Sequence, residues 1–387
     1  MLRGITWDHP RGKEPLLATA HAFSLHRPEV RIEWEVRSLK DFAHTPLHQL
    51  AGTYDLIAFD HPFVGEVYSS GDLIPLDTHI AERTLQQIAE ESIGKTFESY
   101  CFNNHLWALP IDAAAQVSAY RPDLLSTGSL PATWDEALEL VADLSRKGES
   151  SGIWPLAPVD CMCSFLSLCA NRGADLFTLG SNVVVRQDIG EYALDLLQRF
   201  LVYLHPSSLQ ANPIEALERM SMSDEVIYCP LLFGYVNYSR PHGQGQIIKF
   251  GDMPGYKDRG PLGSLLGGVG LGVSAYSPNI ELACEYTVYV AHPSTQMTIY
   301  AAHSGQPASR RAWIDRDVNT ASNDFYYNTI RTMEGAYLRP RYPGFIRFHK
   351  EGGQVIHRCL GGDLTIKQTL QELNCLFQET QLAATHE

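Results

Sequence analysis

Between Asn104 and Leu144 the chain reads NHLWALPIDAAAQVSAYRPDLLSTGSLPATWDEALELVADL, and no other stretch limits the possible folds as tightly. Leu106 to Leu109 is an apolar run that Pro110 should stop, because proline fixes its own φ and brings no donor to a strand ladder. Ala113 to Tyr120 is a second extended run that ends at Arg121-Pro122. A helix has to follow. Thr133 can cap it, Glu136 stands three residues on as the other half of a capping box, and Ala137, Leu138, Leu140, Val141 and Leu144 supply its apolar stripe.

Upstream, strands and helices alternate. Leu2 to Trp7 reads as a strand, Lys13 to Leu25 as a helix closed by His26-Arg27-Pro28, and Val30, Ile32, Trp34 and Val36 as an alternating strand. Tyr54 to Phe59 is a continuous apolar run of the kind buried in a parallel sheet. This order predicts a doubly wound α/β lobe, which binds ligands outside the carboxyl ends of its strands. Asp8-His9 and Asp60-His61 each follow a strand directly and so belong at that crevice. Downstream, Gly152 to Ala157 and Glu225 to Phe233 read as strands, Met162 to Ala170 and Ile189 to Leu204 as helices, and Ile330 to Tyr337 and Leu364 to Gln381 as C-terminal helices with Pro340 to Phe345 between them.

A length of 387 residues suits about two to three domains. The net charge of −14, with no block of Lys or Arg, argues against nucleic acid or an anionic membrane as partner. Runs such as Leu56 to Phe59 are far shorter than the roughly 20 residues of a membrane span, so no membrane insertion is expected. Met1 leads straight into the first strand, which leaves no room for a signal peptide, and the eight cysteines show no framework of pairs. Both features point to a reducing, cytoplasmic compartment for the sequence as it stands, and to a periplasmic or extracellular one if a signal has been removed. Cys161-x-Cys163 with Cys169 lacks zinc-site spacing and reads as buried small residues. No cofactor and no metal are expected.

Three blocks carry a resemblance to a known family. They are the 104–144 segment with its Leu-Pro-x-Asp, Tyr-Arg and Pro-x-Thr-Trp-Asp-Glu, the turn Gly71-Asp72-Leu73-Ile74-Pro75-Leu76-Asp77, and the run from Gly268 to Arg310 ending in Gly-Gln-Pro-Ala-Ser-Arg. Together they resemble the family 1 extracellular solute-binding proteins of ABC importers. That resemblance implies a periplasmic-binding-protein-like fold of two α/β lobes joined by crossing strands, with lobe one at 1–112 and 270–310 and lobe two at 113–269 and 311–387. It also implies a carbohydrate or similar small solute clamped between the lobes by hinge closure, importer membrane subunits as partners, and no chemistry on the solute. The Ile247 to Phe250 run then looks like a return strand, and Gly268 to Ser274 the second crossing. Gly268-x-Gly270-x-Gly272 is not a dinucleotide fingerprint and reads as close backbone approach.

Such a cleft needs stacking surfaces and a few polar groups. Trp7, Asp8, His9, Asp60, His61, Asp112, Phe233, Tyr235 and Arg310 fall at strand ends or crossings and are the candidates for ligand binding. Each has a plainer role: Trp7 closing the core of its strand, Asp112 tying the hinge, Arg310 holding a helix end, and Phe233, more than Tyr235, packing in the core. The repeated Asp-His-Pro at 8–10 and 60–62 is either a turn sequence or a pair of acid-base groups. In the second case Asp8, His9, Asp60 and His61 would serve a cytoplasmic lyase, isomerase or hydrolase built on the same scaffold, or hold a divalent metal.

Overall fold

A computed structural model describes residues 1–125, 130–148, 151–178 and 181–383. The chain forms two compact units, Met1–Ala114 with Gly267–Ala321 and Arg341–Pro343, and Ala115–Leu266 with Ser322–Pro340 and Gly344–Glu387. The divisions after Ala114 and Leu266 fall near the crossings at 112 and 269. The one after Ala321 comes later than 310, and Arg341–Pro343 returns to the first unit. Residues 384–387 of the expected second lobe lie outside the described residues.

In the first unit β1 (Leu2–Trp7), β2 (Ile32–Arg37) and β3 (Leu56–Phe59) are parallel, with β1 in the middle. All of β3 is buried, as its uninterrupted apolar sequence requires. α1 (Pro10–His26) starts three residues earlier than the apolar periodicity suggests, because His9 caps it and Pro10 takes the first position, where a missing N–H costs nothing. α2 (Leu39–His44) follows β2 and is capped by Ser38. A short hairpin, β4 (Cys101–Phe102) and β5 (His105–Leu106), precedes the long β6 (Leu109–Tyr120).

Pro110 does not break this region as expected. β6 runs straight through it, and the unit boundary after Ala114 falls within the strand. Proline at the second residue of a strand is tolerated where no ladder bond is asked of its nitrogen.

The second unit contains the distal half of β6, β7 (Ser151–Gly152), β8 (Val226–Phe233) and β9 (Lys249–Gly251); β8 and β9 are antiparallel to β6, and β7 is parallel to β8. β10 (Leu266–Val273) carries the chain back and pairs antiparallel with β3. Its Gly268 has φ +116°, and a Cβ there would lie 2.3 Å from the Asp112 carbonyl oxygen, so this approach of two backbones excludes a side chain.

The capping box at Thr133 forms as expected: Glu136 N–H donates to Thr133 Oγ1 at 3.2 Å, and the Thr133 N–H donates back to Glu136 Oε2 at 3.2 Å. Two readings are corrected. The expected 152–157 strand is reduced to Ser151–Gly152, which shares only Gly152 with it, and the segment 345–360 is a helix, Phe345–Leu360, that the sequence reading left out. Gly352-Gly353 disguised it. A Cβ on Gly353 would meet the Pro158 carbonyl oxygen at 2.1 Å, so these glycines let the helix pack close to Pro158–Asn171 at a cost in helix propensity.

Candidate functional site

The two Asp-His-Pro triplets come together because of strand register. β1 and β3 pair as Gly4 with Leu56 and Ile5 with Ile57, an offset of 52 (56 − 4), and the same offset separates Asp8 from Asp60 (60 − 8). Both triplets therefore end adjacent parallel strands at the same height. In each, the His-Pro pair opens a helix, α1 after the first and the 3₁₀ turn His61–Phe63 after the second.

The four side chains are not equivalent. Asp8 is exposed, with its backbone N–H donating to the Arg37 carbonyl at 2.8 Å. His61 is only 1% exposed; its Nδ1 lies 3.1 Å from Asp60 Oδ1, and its ring stands edge-on to Tyr100. Tyr100 in turn donates to the Phe59 carbonyl at 3.1 Å. Adjacent Asp and His side chains do meet here, and the result is a buried imidazole that orients a carboxylate still 25% exposed. His9 uses Nδ1 to accept the Arg11 backbone N–H at 3.1 Å, so the neutral ring carries its proton on Nε2. Burial and the neighbouring Arg11 guanidinium push its pKa down to about 4.

His9 should thus stay neutral well below the usual range. We expect its ring proton shifts in NMR to stay flat from pH 8 to pH 5, whereas titration near 6.5 would contradict the burial argument. An unfolded chain would protonate His9 first. Its contribution to stability is therefore intact above about pH 6.5 and is lost as pH falls towards 4, by at most roughly 3 kcal/mol.

Asp112 lies beneath this edge. Arg11 Nε donates to Asp112 Oδ2 at 2.8 Å and Nη2 to Oδ1 at 2.6 Å, with the carboxylate fully enclosed and the guanidinium side chain 5% exposed. Burial pushes the Asp112 carboxyl up and Arg11 opposes it. The sequence reading missed Arg11. The available signal was a cation in the first turn of a helix, where the dipole disfavours it unless an anion is near.

Trp7 is core. Its indole is 3% exposed, lies against Phe42 with centroids 5.1 Å apart, and occupies the space a Cβ on Gly12 would need, 2.3 Å away. Thr6 Oγ1 donates to the Gly12 carbonyl at 3.1 Å and ties the strand end to α1. Arg310 is exposed at the first position of the short helix Arg310–Ile314, in the same unit. Nearby, Ala113 N–H donates to Gln306 O at 2.9 Å and Gln306 Nε2 donates to Ala113 O at 2.7 Å, fastening the 306–307 segment to β6.

In the second unit the expected order of burial is reversed: Phe233 is half-buried and Tyr235 is 8% exposed. Phe233 is the last residue of β8, opposite Gln116, whereas Tyr235 opens the 3₁₀ turn Val236–Ser239, whose backbone folds back so that Tyr238 N–H donates to the Tyr235 carbonyl. Among the described residues no three His, Cys, Asp or Glu side chains gather as metal ligands. No helix of the described residues is long and apolar enough to cross a membrane.

Residues 46–159 match the family model described as bacterial extracellular solute-binding protein. Solved structures match over nearly the whole chain. Maltose-bound MalE3 of T. maritima is 18% identical with a TM-score of 0.82, covering 99% of each chain. The sugar-binding protein MalE of Xanthomonas citri is 16% identical with a TM-score of 0.79, covering 100% of this chain and 99% of its own. An ABC transporter solute-binding protein of Agrobacterium radiobacter, in complex with ribitol, is 17% identical with a TM-score of 0.82, covering 98% of each. The resemblance noted in the sequence therefore holds, and the fold is the two-lobe periplasmic-binding-protein-like α/β fold.

Proposed function

We propose that this protein, with the fold and family match of the solute-binding proteins, is the substrate-binding component of an ABC importer and takes a carbohydrate or polyol. The observation that carries the reading is the pair of carboxylates Asp8 and Asp60, held level on neighbouring parallel strands. Carboxylates at strand ends accept hydrogen bonds from vicinal hydroxyls, and such charged bonds are roughly twice as strong as neutral ones. Related structures carrying maltose and ribitol agree with a polyhydroxylated ligand. The binding mode is the two-lobe closure that the family resemblance implies, in which only a ligand with higher affinity for the closed form shifts the population.

The function brings a compartment and partners with it. Solute capture for an importer takes place outside the cell membrane, the second of the two compartments the sequence left open, and delivers to the importer's membrane subunits. In this reading the histidines are positioning groups. His61 is enclosed and spends Nδ1 on Asp60, and His9 spends Nδ1 on a helix cap.

The test is calorimetry with maltose, ribitol, mannitol and tagatose on wild type, Asp8→Ala and Asp60→Ala. At least one solute should bind, be recovered chemically unchanged after long incubation, and lose about 10–100-fold in affinity with each substitution. Absence of binding across sugars and polyols, or conversion of the bound solute, would reject the reading.

A further inference from the structure

β2 ends in Arg37, beside Trp7 in the register of β1 and next to the strand end that presents Asp8. Among the described residues its guanidinium makes one hydrogen bond, from Nη2 to the Ala58 carbonyl at 3.1 Å, and it rests over the Phe42 ring 5.1 Å from the centroid. Nε and Nη1 are enclosed, with no acceptor in reach among the described residues. Leaving buried donors unmade is costly. The chain does not lack acids, with 44 Asp and Glu against 30 Lys and Arg, yet among the described residues none pairs with this cation. Asp41, the acid whose charge bears on it, accepts from Ser38 Oγ at 2.6 Å instead. Burial lowers the Arg37 pKa to about 10, which still leaves it charged at neutral pH.

We propose that Arg37 recognises a carboxylate on the solute, so that the ligand is a sugar acid or similar polyhydroxy acid rather than a neutral sugar. The inference rests on the solute-binding reading above and names the ligand class within it. An uncompensated cation costs the unliganded protein stability, and an external anion removes that cost. Guanidinium and carboxylate match in a bidentate geometry, while Asp8 and Asp60 remain for hydroxyls on the rest of the molecule. The side chain as a whole is partly exposed and is anchored by one carbonyl and one ring, so rotation can bring its unused donors to the strand-end face. Held in reserve at a functional face, such a group trades stability for binding.

The experiment is calorimetry on the full chain with matched pairs: glucuronate and glucose, galacturonate and galactose, gluconate and sorbitol. Wild type should prefer the acid of at least one pair by about tenfold or more. Arg37→Gln should bring the acid down to the level of its neutral partner, and Arg37→Lys should keep part of the preference. Melting of the unliganded Arg37→Gln protein should occur at the same temperature as wild type or higher, since an unsatisfied buried cation has been removed. Three results would overturn the proposal. If neutral members bind as tightly as acids, the ligand class is wrong while the solute-binding reading stands. If Arg37→Gln weakens both members alike or lowers the unliganded melting temperature, Arg37 is structural. If no member of any pair binds and the neutral panel above also fails, the parent reading falls and takes this one with it.

Discussion

Asp112→Ala is expected to lower the unfolding free energy by about 3–5 kcal/mol, because it strands the enclosed Arg11 guanidinium without its anion. Arg11→Ala should cost less. The carboxyl left behind can take up a proton, and burial already pushes it in that direction. Replacing both together, Arg11→Met with Asp112→Leu, should recover much of the loss, since an apolar pair of similar volume avoids desolvating two charges. Urea denaturation at pH 7 of Arg11→Met, Asp112→Leu and the double variant gives the coupling energy directly, with the two alanine variants measured beside them. Single variants that each lose under about 1 kcal/mol, or a double variant as unstable as the sum of the two, would show that the pair is not the buried unit described.

The second large effect has the opposite sign. Asp160 is buried in the first turn of the Pro158–Asn171 helix, and burial, assisted by the nearby Glu215 charge, raises its pKa to about 8 from an ordinary 3.8. The folded protein therefore keeps this carboxyl protonated at neutral pH, while the unfolded chain ionises it from about pH 4 upward. The stability it contributes is complete below about pH 4 and drains away as pH rises through 8. Asp160→Asn cannot ionise. It should match wild type near pH 4 and exceed it by on the order of 3 kcal/mol at pH 7 to 8, with the gap levelling off above that. Thermal melts of both proteins across this range decide the matter: a gap independent of pH, or an Asn variant less stable at neutral pH, would contradict a desolvated carboxyl.

Much of the fold was legible because its determinants are local. The capping box at Thr133 and Glu136, the all-apolar β3 and the alternation of strand and helix in the first unit are written in runs of a few residues with a fixed period. The errors arose where a local rule met a distant neighbour. Gly352-Gly353 argues against a helix until Pro158 comes close enough to leave no room for a Cβ. Pro110 argues for a break until the strand places it where its nitrogen owes no hydrogen bond.

The site divides in the same way. That Asp8-His9 and Asp60-His61 end strands followed from the apolar runs before them, and that a parallel sheet offers such ends to ligands is a property of the architecture. The sequence alone therefore determined which residues reach the edge. Tertiary structure decided what each does there: a register offset of 52 sets the two aspartates level, enclosure turns His61 into a support for Asp60, and Gly12 and Phe42 convert Trp7 from wall to core. Arg11 and Asp112 lie 101 positions apart. No short-range pattern encodes their pairing, because burial and charge compensation depend on which segments meet once the chain has closed on itself.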